Sequence, residues 1–144
     1  MLFRSEHPVF RRRRWFLGRE LHGEGVVDIG WFKIDGHEMD QGDWSEGFAK
    51  SVGVFLNGRA IPSLDAFGRQ LQDETFYLLL NAHHEPLSFH LPERPDWGKE
   101  WSRVLDTADD ETFRETGETF VAGHDVAVEA RSIVLLRRVE AEDA

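Results

Sequence analysis

The sequence predicts an all-β protein, an antiparallel β-sandwich, and three observations support this fold class. Short apolar runs recur along the chain, turn residues bound each of them, and residues 75–144 show no sustained helical period. The runs are rich in β-branched and aromatic residues, and a length of 144 residues suits one domain better than two. The predicted strands are the runs 26–32, 52–56, 76–80, 87–91, 104–105, 119–121, 126–130 and 133–136.

The first predicted strand alternates in the manner of a strand with one wet face. Val27, Ile29 and Trp31 share one side, whereas Asp28 and Gly30 share the other. We therefore expect the side that carries Trp31 to be the dry one.

Two later runs and one dipeptide complete the β pattern. The run 126–130 alternates apolar and small or polar residues, and the run 76–80 is apolar on both sides. The latter pattern predicts a central strand that is covered on both faces. Asn57-Gly58 predicts a tight turn.

Two regions before residue 51 depart from the β pattern. Residues 2–6 precede His7-Pro8 and are typical of the last turn of a helix that a proline ends. Residues 33–47 predict a long loop with a turn at Asp35-Gly36, and residues 43–50 could add one helical turn. Loops of this length are usually functional or packed against another body.

Composition excludes several classes of partner. The chain has 17 Lys and Arg against 27 Asp and Glu, so its net charge of −10 argues against a nucleic acid or an anionic membrane. The basic run 11–14 is flanked by aromatic residues, and we expect its arginines to pair with carboxylates. There is no cysteine, no apolar segment of membrane-spanning length and no secretory signal, so we expect a cytoplasmic protein without disulfides.

No pattern in the chain predicts a catalytic residue. Acidic residues are abundant, but catalysis of glycoside hydrolysis requires two carboxyl groups held across a cleft, and surface carboxylates are the rule. The Gly-x-Ser-x-Gly motif of serine hydrolases and the glycine-rich phosphate loops are absent from the sequence. We therefore expect no cofactor.

The segment 81–86 contains the best apparent metal ligands, His83, His84 and Glu85. Adjacent residues that leave a strand point in opposite directions, so the two histidines should not share one ion. Zinc sites need three or four convergent ligands. We therefore expect a turn here and no metal site.

The five tryptophans have two interpretations. Trp15, Trp31, Trp44, Trp97 and Trp101 could stack on sugar rings if they were exposed, but packing in a core or an interface is the more common role. Coplanar, exposed indoles with polar neighbours would favour sugar binding, and indoles packed against the sheet would favour a structural role.

Several ordered blocks of sequence resemble the carboxy-terminal part of isoamylase-type glycogen debranching enzymes. The Asp-Gly, Glu-Met and Asp-Trp pairs between residues 35 and 44 are the most distinctive of them, and the similarity covers nearly the whole chain. The blocks are residues 7–12, 28–32, 35–36, 38–39, 43–44, 53–58, 76–86, 104–107 and 130–134.

The resemblance implies a role in glycogen catabolism. Enzymes of that family, in the α-amylase clan, hydrolyse α-1,6 branch points with a catalytic (β/α)8 barrel that a carboxy-terminal β domain follows. Residues 1–50 would be the tail of the barrel, including a remnant of its last helix, and the segment that crosses it; residues 51–144 would be the β-sandwich. A barrel takes about 250 residues. The chain should therefore not be an enzyme on its own, and no catalytic residue can be assigned.

Two hypotheses for the function follow from this resemblance. In the first, the chain is an accessory domain that buttresses the absent catalytic barrel, and Trp31, Phe32, Met39 and Trp44 contact that barrel and are exposed here. In the second, the chain is a glucan-binding module that uses exposed aromatic residues. An α-glucan and a second copy of the chain are thus the other partners that the sequence allows.

Overall fold

The computed structural model describes residues 2–19, 27–47 and 49–140, and most of its regular structure is β-strand. Helix α1 spans Leu2–Glu6, and two 3-10 turns span Pro8–Phe10 and Asp43–Ser45. The strands are β1 (Ile29–Phe32), β2 (Ser51–Leu56), β3 (Phe76–Asn81), β4 (Leu87–His90), β5 (Glu100–Asp106), β6 (Thr119–Val121), β7 (Asp125–Val128) and β8 (Ser132–Arg138).

The strands form two antiparallel sheets. A large sheet has the order β1-β2-β3-β8-β5-β6, and a small sheet pairs β4 with β7. The predicted antiparallel β-sandwich is confirmed, and each of the eight predicted runs overlaps one of the described strands. The largest boundary difference is in β5, which begins at Glu100 because Trp101 and Ser102 also pair in the large sheet. Val26, at the start of the first run, lies outside the described residues.

The inner face of the large sheet packs against the small sheet. The side chains between the two sheets form one aromatic and aliphatic cluster. Trp97 and Trp101 belong to it and are 3% and 2% exposed, which agrees with packing rather than sugar binding. The buried members are Phe32, Phe55, Tyr77, Leu79, Phe89, Leu91, Trp97, Trp101, Val126, Val128, Val134 and Leu136.

Strand β3 is central, as predicted, but only one of its faces is fully covered. It lies between β2 and β8, with Leu79 opposite Gly53 and Val134. Leu79 points into the inner cluster and is inaccessible, whereas Leu80 points to the outer face and is half-buried. Both faces of β3 are therefore apolar, but the described residues cover only the inner face completely.

The chain covers one end of the outer face by itself. Helix α1 and the residues after it place Phe3, Val9 and Phe10 against Phe76, and residues of the 57–75 loop pack beside them. The predicted helical turn before Pro8 is confirmed, since α1 ends at Glu6. The amino-terminal segment is thus part of the domain's packing.

The predicted orientation of β1 is wrong. Gly30 and Phe32 face the inner cluster, whereas Trp31 faces outward. The cause is Trp97: a Cβ on Gly30 would overlap the Trp97 ring, so the glycine marks a close approach inside the core. Asp28, expected on a wet face, is completely buried.

The large sheet begins before residue 51. β1 is its edge strand and pairs with β2 from Ile29 opposite Leu56 to Phe32 opposite Gly53. Residues 29–32 are therefore part of the sandwich in this structure. The division of the parent protein between residues 50 and 51 stays a prediction.

Candidate interaction surface

The uncovered end of the outer face presents a row of apolar side chains. Val52 on β2 lies opposite Leu80 on β3, which lies opposite Ile133 on β8, and all three are half-buried. Neighbours in such a cross-strand row lie about 4.5–5.5 Å apart, so the three side chains form a continuous stripe. The doubly apolar run 76–80 was the sequence signal for this surface, although it does not say that one end stays open.

Two tryptophans stand at the edge of this stripe. Trp31 on β1 is 38% exposed and Trp44 in the second 3-10 turn is 56% exposed. Their ring centroids are 5.2 Å apart and their planes meet at 77°, an edge-to-face pair. The pair is exposed, but it is not coplanar.

A pair of aspartates holds Trp44 in place. The Asp40 N–H donates to Asp43 Oδ2 over 2.8 Å, and the Asp43 N–H donates to Asp40 Oδ1 over 3.0 Å. The backbone N–H groups of Asp43 and Gly42 lower the pKa of Asp40, because they stabilise its charged form. Lys33 lies 3.7 Å from the Asp43 carboxylate. The turn that carries Trp44 is therefore fixed by its own polar contacts.

Trp31, Trp44 and the apolar stripe enclose a groove of about 370 Å³. Its apolar lining is Trp31, Met39, Trp44, Ala49, Val52, Leu80 and Ala82, and its polar lining is Asp43, Glu46, Lys50 and Ser51. We name these lining residues together with Ile133 the open surface. An apolar patch of this kind typically marks a protein interface or a ligand groove.

Three of the four predicted interface residues meet at the open surface. Trp31, Met39 and Trp44 line the same groove, and the Met39 N–H donates to the Trp31 carbonyl over 2.8 Å. The expected exposure of Phe32 is wrong, because this residue is 1% exposed and packs against Tyr77 and Trp97. Side chains alternate along a strand, so Trp31 and Phe32 cannot both face outward.

The histidines of the β3–β4 turn lie closer together than expected. The rings of His83 and His84 stack with centroids 4.3 Å apart, and ligand atoms of these two residues and Glu85 lie within 4.8 Å of one another. The expectation that they point apart is wrong because Asn81 folds the chain back at once: its amide contacts the His83 N–H and the Glu85 carbonyl.

This turn nevertheless offers a poor metal site. His83 Nδ1 accepts the Glu85 N–H over 3.1 Å, so this lone pair is already engaged. His84 and Glu85 are exposed, and a zinc site needs three or four convergent ligands held by the protein. The absence of a metal stays a prediction.

The basic run 11–14 contains one buried arginine. Arg12 lies 3.3 Å from Asp28, with side-chain exposures of 3% and 0%, and its guanidinium lies 4.0 Å above the Phe16 ring. Burial lowers the pKa of Arg12, while the Asp28 carboxylate opposes that shift. The expected pairing with carboxylates holds for Arg12 alone among the described residues of this run.

A polar cavity of about 460 Å³ lies beside the inner core, between the end of β4 and the turn that follows β1. His90 stands at its edge, with Nδ1 2.8 Å from Asp125 and Nε2 3.3 Å from Glu93. The hydrogen bond with Asp125, and to a smaller extent that with Glu93, raises the pKa of His90. Arg94 and Glu38 also pair at this cavity, so its charged groups largely satisfy one another.

None of the helices in the described part of the chain is long and apolar enough to cross a membrane.

Comparison with known proteins finds relatives that match nearly the whole of this chain. It is 40% identical over 136 residues to a "Glycogen operon protein GlgX homolog" of Mycobacterium tuberculosis. The aligned region covers 94% of this chain and 18% of that relative. It is 27% identical over 144 residues to an "Isoamylase" of Flavobacterium sp. That alignment covers 93% of this chain and 17% of the relative.

The chain thus spans less than one fifth of the length of these relatives. The family described as "Isoamylase, C-terminal" matches residues 28–137, a range that contains all eight strands except the last residue of β8. The chain belongs to the isoamylase C-terminal domain family.

Proposed function

We propose that this chain is the carboxy-terminal accessory domain of a glycogen debranching enzyme and that it buttresses the catalytic barrel of that enzyme. The parent would hydrolyse α-1,6-glucosidic branch points in glycogen catabolism, as the names of the relatives and the family suggest. The chain itself would supply no catalytic group.

The open surface is the observation that carries this proposal. The outer face of the sheet is as apolar as a core at Val52, Leu80 and Ile133, yet no described element covers it. Removal of apolar area from water yields about 25 cal/mol per Å², so a body that covers this face would stabilise the domain. The relatives are more than five times longer than their matched regions, which leaves room for such a body.

A hybrid protein tests the buttress. The matched region of the mycobacterial relative is replaced by this chain, and unfolding is followed by calorimetry. If another part of the hybrid docks on the open surface, the domain formed by this chain should unfold at a higher temperature in the hybrid than in isolation, since docking stabilises the folded state. Trp31→Gln with Trp44→Gln should return that transition towards the isolated value.

A matched pair of exposed apolar residues provides the control. Leu64 and Phe67 are 63% and 82% exposed and lie on the 57–75 loop, away from the groove. Leu64→Gln with Phe67→Gln should leave the hybrid transition unchanged. An equal fall in both double variants would contradict docking through the open surface.

The same groove favours a second candidate function, glucan binding. Exposed indole faces can stack on sugar rings, and the neighbouring polar groups of Asp43, Lys50 and Ser51 can hydrogen-bond to sugar hydroxyls. The edge-to-face geometry of Trp31 and Trp44 is the reason for preferring the buttress, because a flat sugar chain stacks best on coplanar rings. Saturable calorimetric binding of maltoheptaose or glycogen that disappears in the Trp31→Gln, Trp44→Gln variant would favour the glucan-binding module.

The purified chain is also expected to release no reducing ends from glycogen or limit dextrin, because it resembles only the non-catalytic portion of its relatives. Reducing-end assays against a blank check this expectation. Activity that a single carboxylate substitution in this chain abolishes would refute it.

A further inference from the structure

A second surface combines positive charge with exposed apolar groups. Residues 11–17 run along the amino-terminal side of the domain, and we name them the arginine strap. Trp15 is 91% exposed and Leu17 is 52% exposed. Arg13 and Arg14 are exposed, and neither has a carboxylate partner within residues 2–19, 27–47 and 49–140.

The backbone of the strap is held firmly despite these exposed side chains. The N–H groups of Leu17 and Gly18 each donate to the Asp28 carboxylate over 2.8 Å, and Arg12 pairs with the same carboxylate. Arg12 also donates to the Ala60 carbonyl over 3.4 Å. A buried carboxylate thus anchors both ends of the strap, so the backbone that carries Arg13, Arg14 and Trp15 is fixed on the domain.

The strap has the composition of a protein interface. Arginine and tryptophan are enriched among the residues that carry binding energy in interfaces, and an anchored backbone limits the conformational entropy that binding costs. Beside the strap lies a cavity of about 520 Å³ with an apolar lining from Val9, Phe10, Phe16 and Leu56. This arrangement fits a partner with carboxylates around an apolar projection.

We propose that the arginine strap docks on an acidic surface of the catalytic part of the parent enzyme, as a second contact beside the open surface. This inference rests on the proposed function. Most of each relative lies outside the matched region, and a covalently linked body is present at high effective concentration, so modest contacts suffice. A second copy of the chain also offers carboxylates, but two copies of net charge −10 repel each other and lack the covalent link that raises the effective concentration.

The hybrid described above tests this docking with a charge-reversed strap. Arg13→Glu with Arg14→Glu is compared with Arg59→Glu with Arg69→Glu, which changes the net charge equally at exposed arginines elsewhere. Because Arg59 and Arg69 pair with Glu140 and Asp65, the hybrid transition of each variant is expressed relative to that of the same variant as an isolated chain. In the isolated chain, Arg13→Glu with Arg14→Glu should leave the unfolding midpoint unchanged, since neither arginine has a carboxylate partner in the described ranges. In the hybrid, this variant should lower the chain's transition more than the control pair does.

Salt provides an independent readout. The difference between the two hybrid variants should shrink as NaCl rises from about 0.05 M to about 0.5 M, because salt screens exposed charges. Equal transitions for the two variants at low salt would overturn the strap docking while leaving the buttress intact. A wild-type hybrid whose chain unfolds at the isolated midpoint would overturn the buttress and, with it, the strap docking.

Discussion

The two faces of the large sheet are similarly apolar but have different environments. On β3, Tyr77 and Leu79 point inward and are at most 1% exposed, whereas Leu78 and Leu80 point outward and are half-buried. The inner face is covered by the small sheet of the same chain. The outer face is covered at one end by the amino-terminal segment, and no element within residues 2–19, 27–47 and 49–140 covers the other end. An apolar face therefore requires a cover, but its composition does not say which body supplies it.

The largest loss of stability is expected at the amino-terminal segment, which covers one end of the outer face of the sheet. Asp28→Ala removes the anchor of the arginine strap and leaves the buried Arg12 without its partner. Breaking a buried ion pair in this way costs about 3–5 kcal/mol. Urea unfolding measures the loss, with Asp35→Ala as the control, because Asp35 is 54% exposed. Similar midpoints for the two variants would show that the amino-terminal cover adds little stability.

The two faces of β3 can be compared directly at adjacent leucines. Leu79→Ala should lower the free energy of unfolding by about 2–5 kcal/mol through lost burial and a cavity. Leu80→Ala in the isolated chain should cost about 1 kcal/mol or less, because its side chain is already half in water. In the hybrid, the cost of Leu80→Ala should increase if another body covers it. An equal cost for Leu80→Ala in both proteins would contradict docking on this stripe.

Gly30 reports on packing at the inner face. A Cβ at this position would overlap the buried Trp97 ring, so Gly30→Ala should destabilise the chain by about 1–3 kcal/mol through overpacking. Gly47→Ala is the control, because a Cβ there meets nothing within 4 Å. Denaturant midpoints of the two variants decide the matter, and a Gly30→Ala chain as stable as the control would contradict the assigned orientation of β1.

The smallest effect is expected at His90, which joins the two strands of the small sheet. Contacts with Asp125 first and Glu93 second raise its pKa above the ordinary 6.5. The folded state therefore binds the proton more tightly than the unfolded state, so this stabilisation is fully present below pH 6.5. It is lost as the pH rises through the raised pKa. Midpoints measured against pH should show this loss in the wild type, and His90→Gln should remove it.

The fold could be predicted from local pattern, but the facing of individual strands could not. Short apolar runs bounded by turn residues located the eight described strands, and the proline after His7 located the end of α1. In β1 the rule of alternation failed, because Gly30 looks polar by alternation but is a contact point for Trp97, which lies far along the chain. The prediction that His83 and His84 point apart was wrong for a related reason. The buried side chain of Asn81 hydrogen-bonds to the turn and changes its course.

The candidate surface was predictable in part. Trp31, Met39 and Trp44 were identified from the resemblance, and the structure brings them to one groove. The sequence could not predict that Val52 and Ile133 belong to the same surface. They are neighbours of Leu80 only because β2, β3 and β8 lie side by side. The anchoring role of Asp28 is likewise invisible in sequence, where it reads as an ordinary carboxylate on a strand.

The sequence by itself determined the fold class, the location of the described strands and the family, because apolar runs, turn residues and ordered blocks are local properties of the chain. The tertiary structure alone decided which apolar residues are core and which form the open surface. That distinction depends on which element lies above each face of the sheet. Leu79 and Leu80 are adjacent and chemically identical, and only the presence of the small sheet over one of them makes them different.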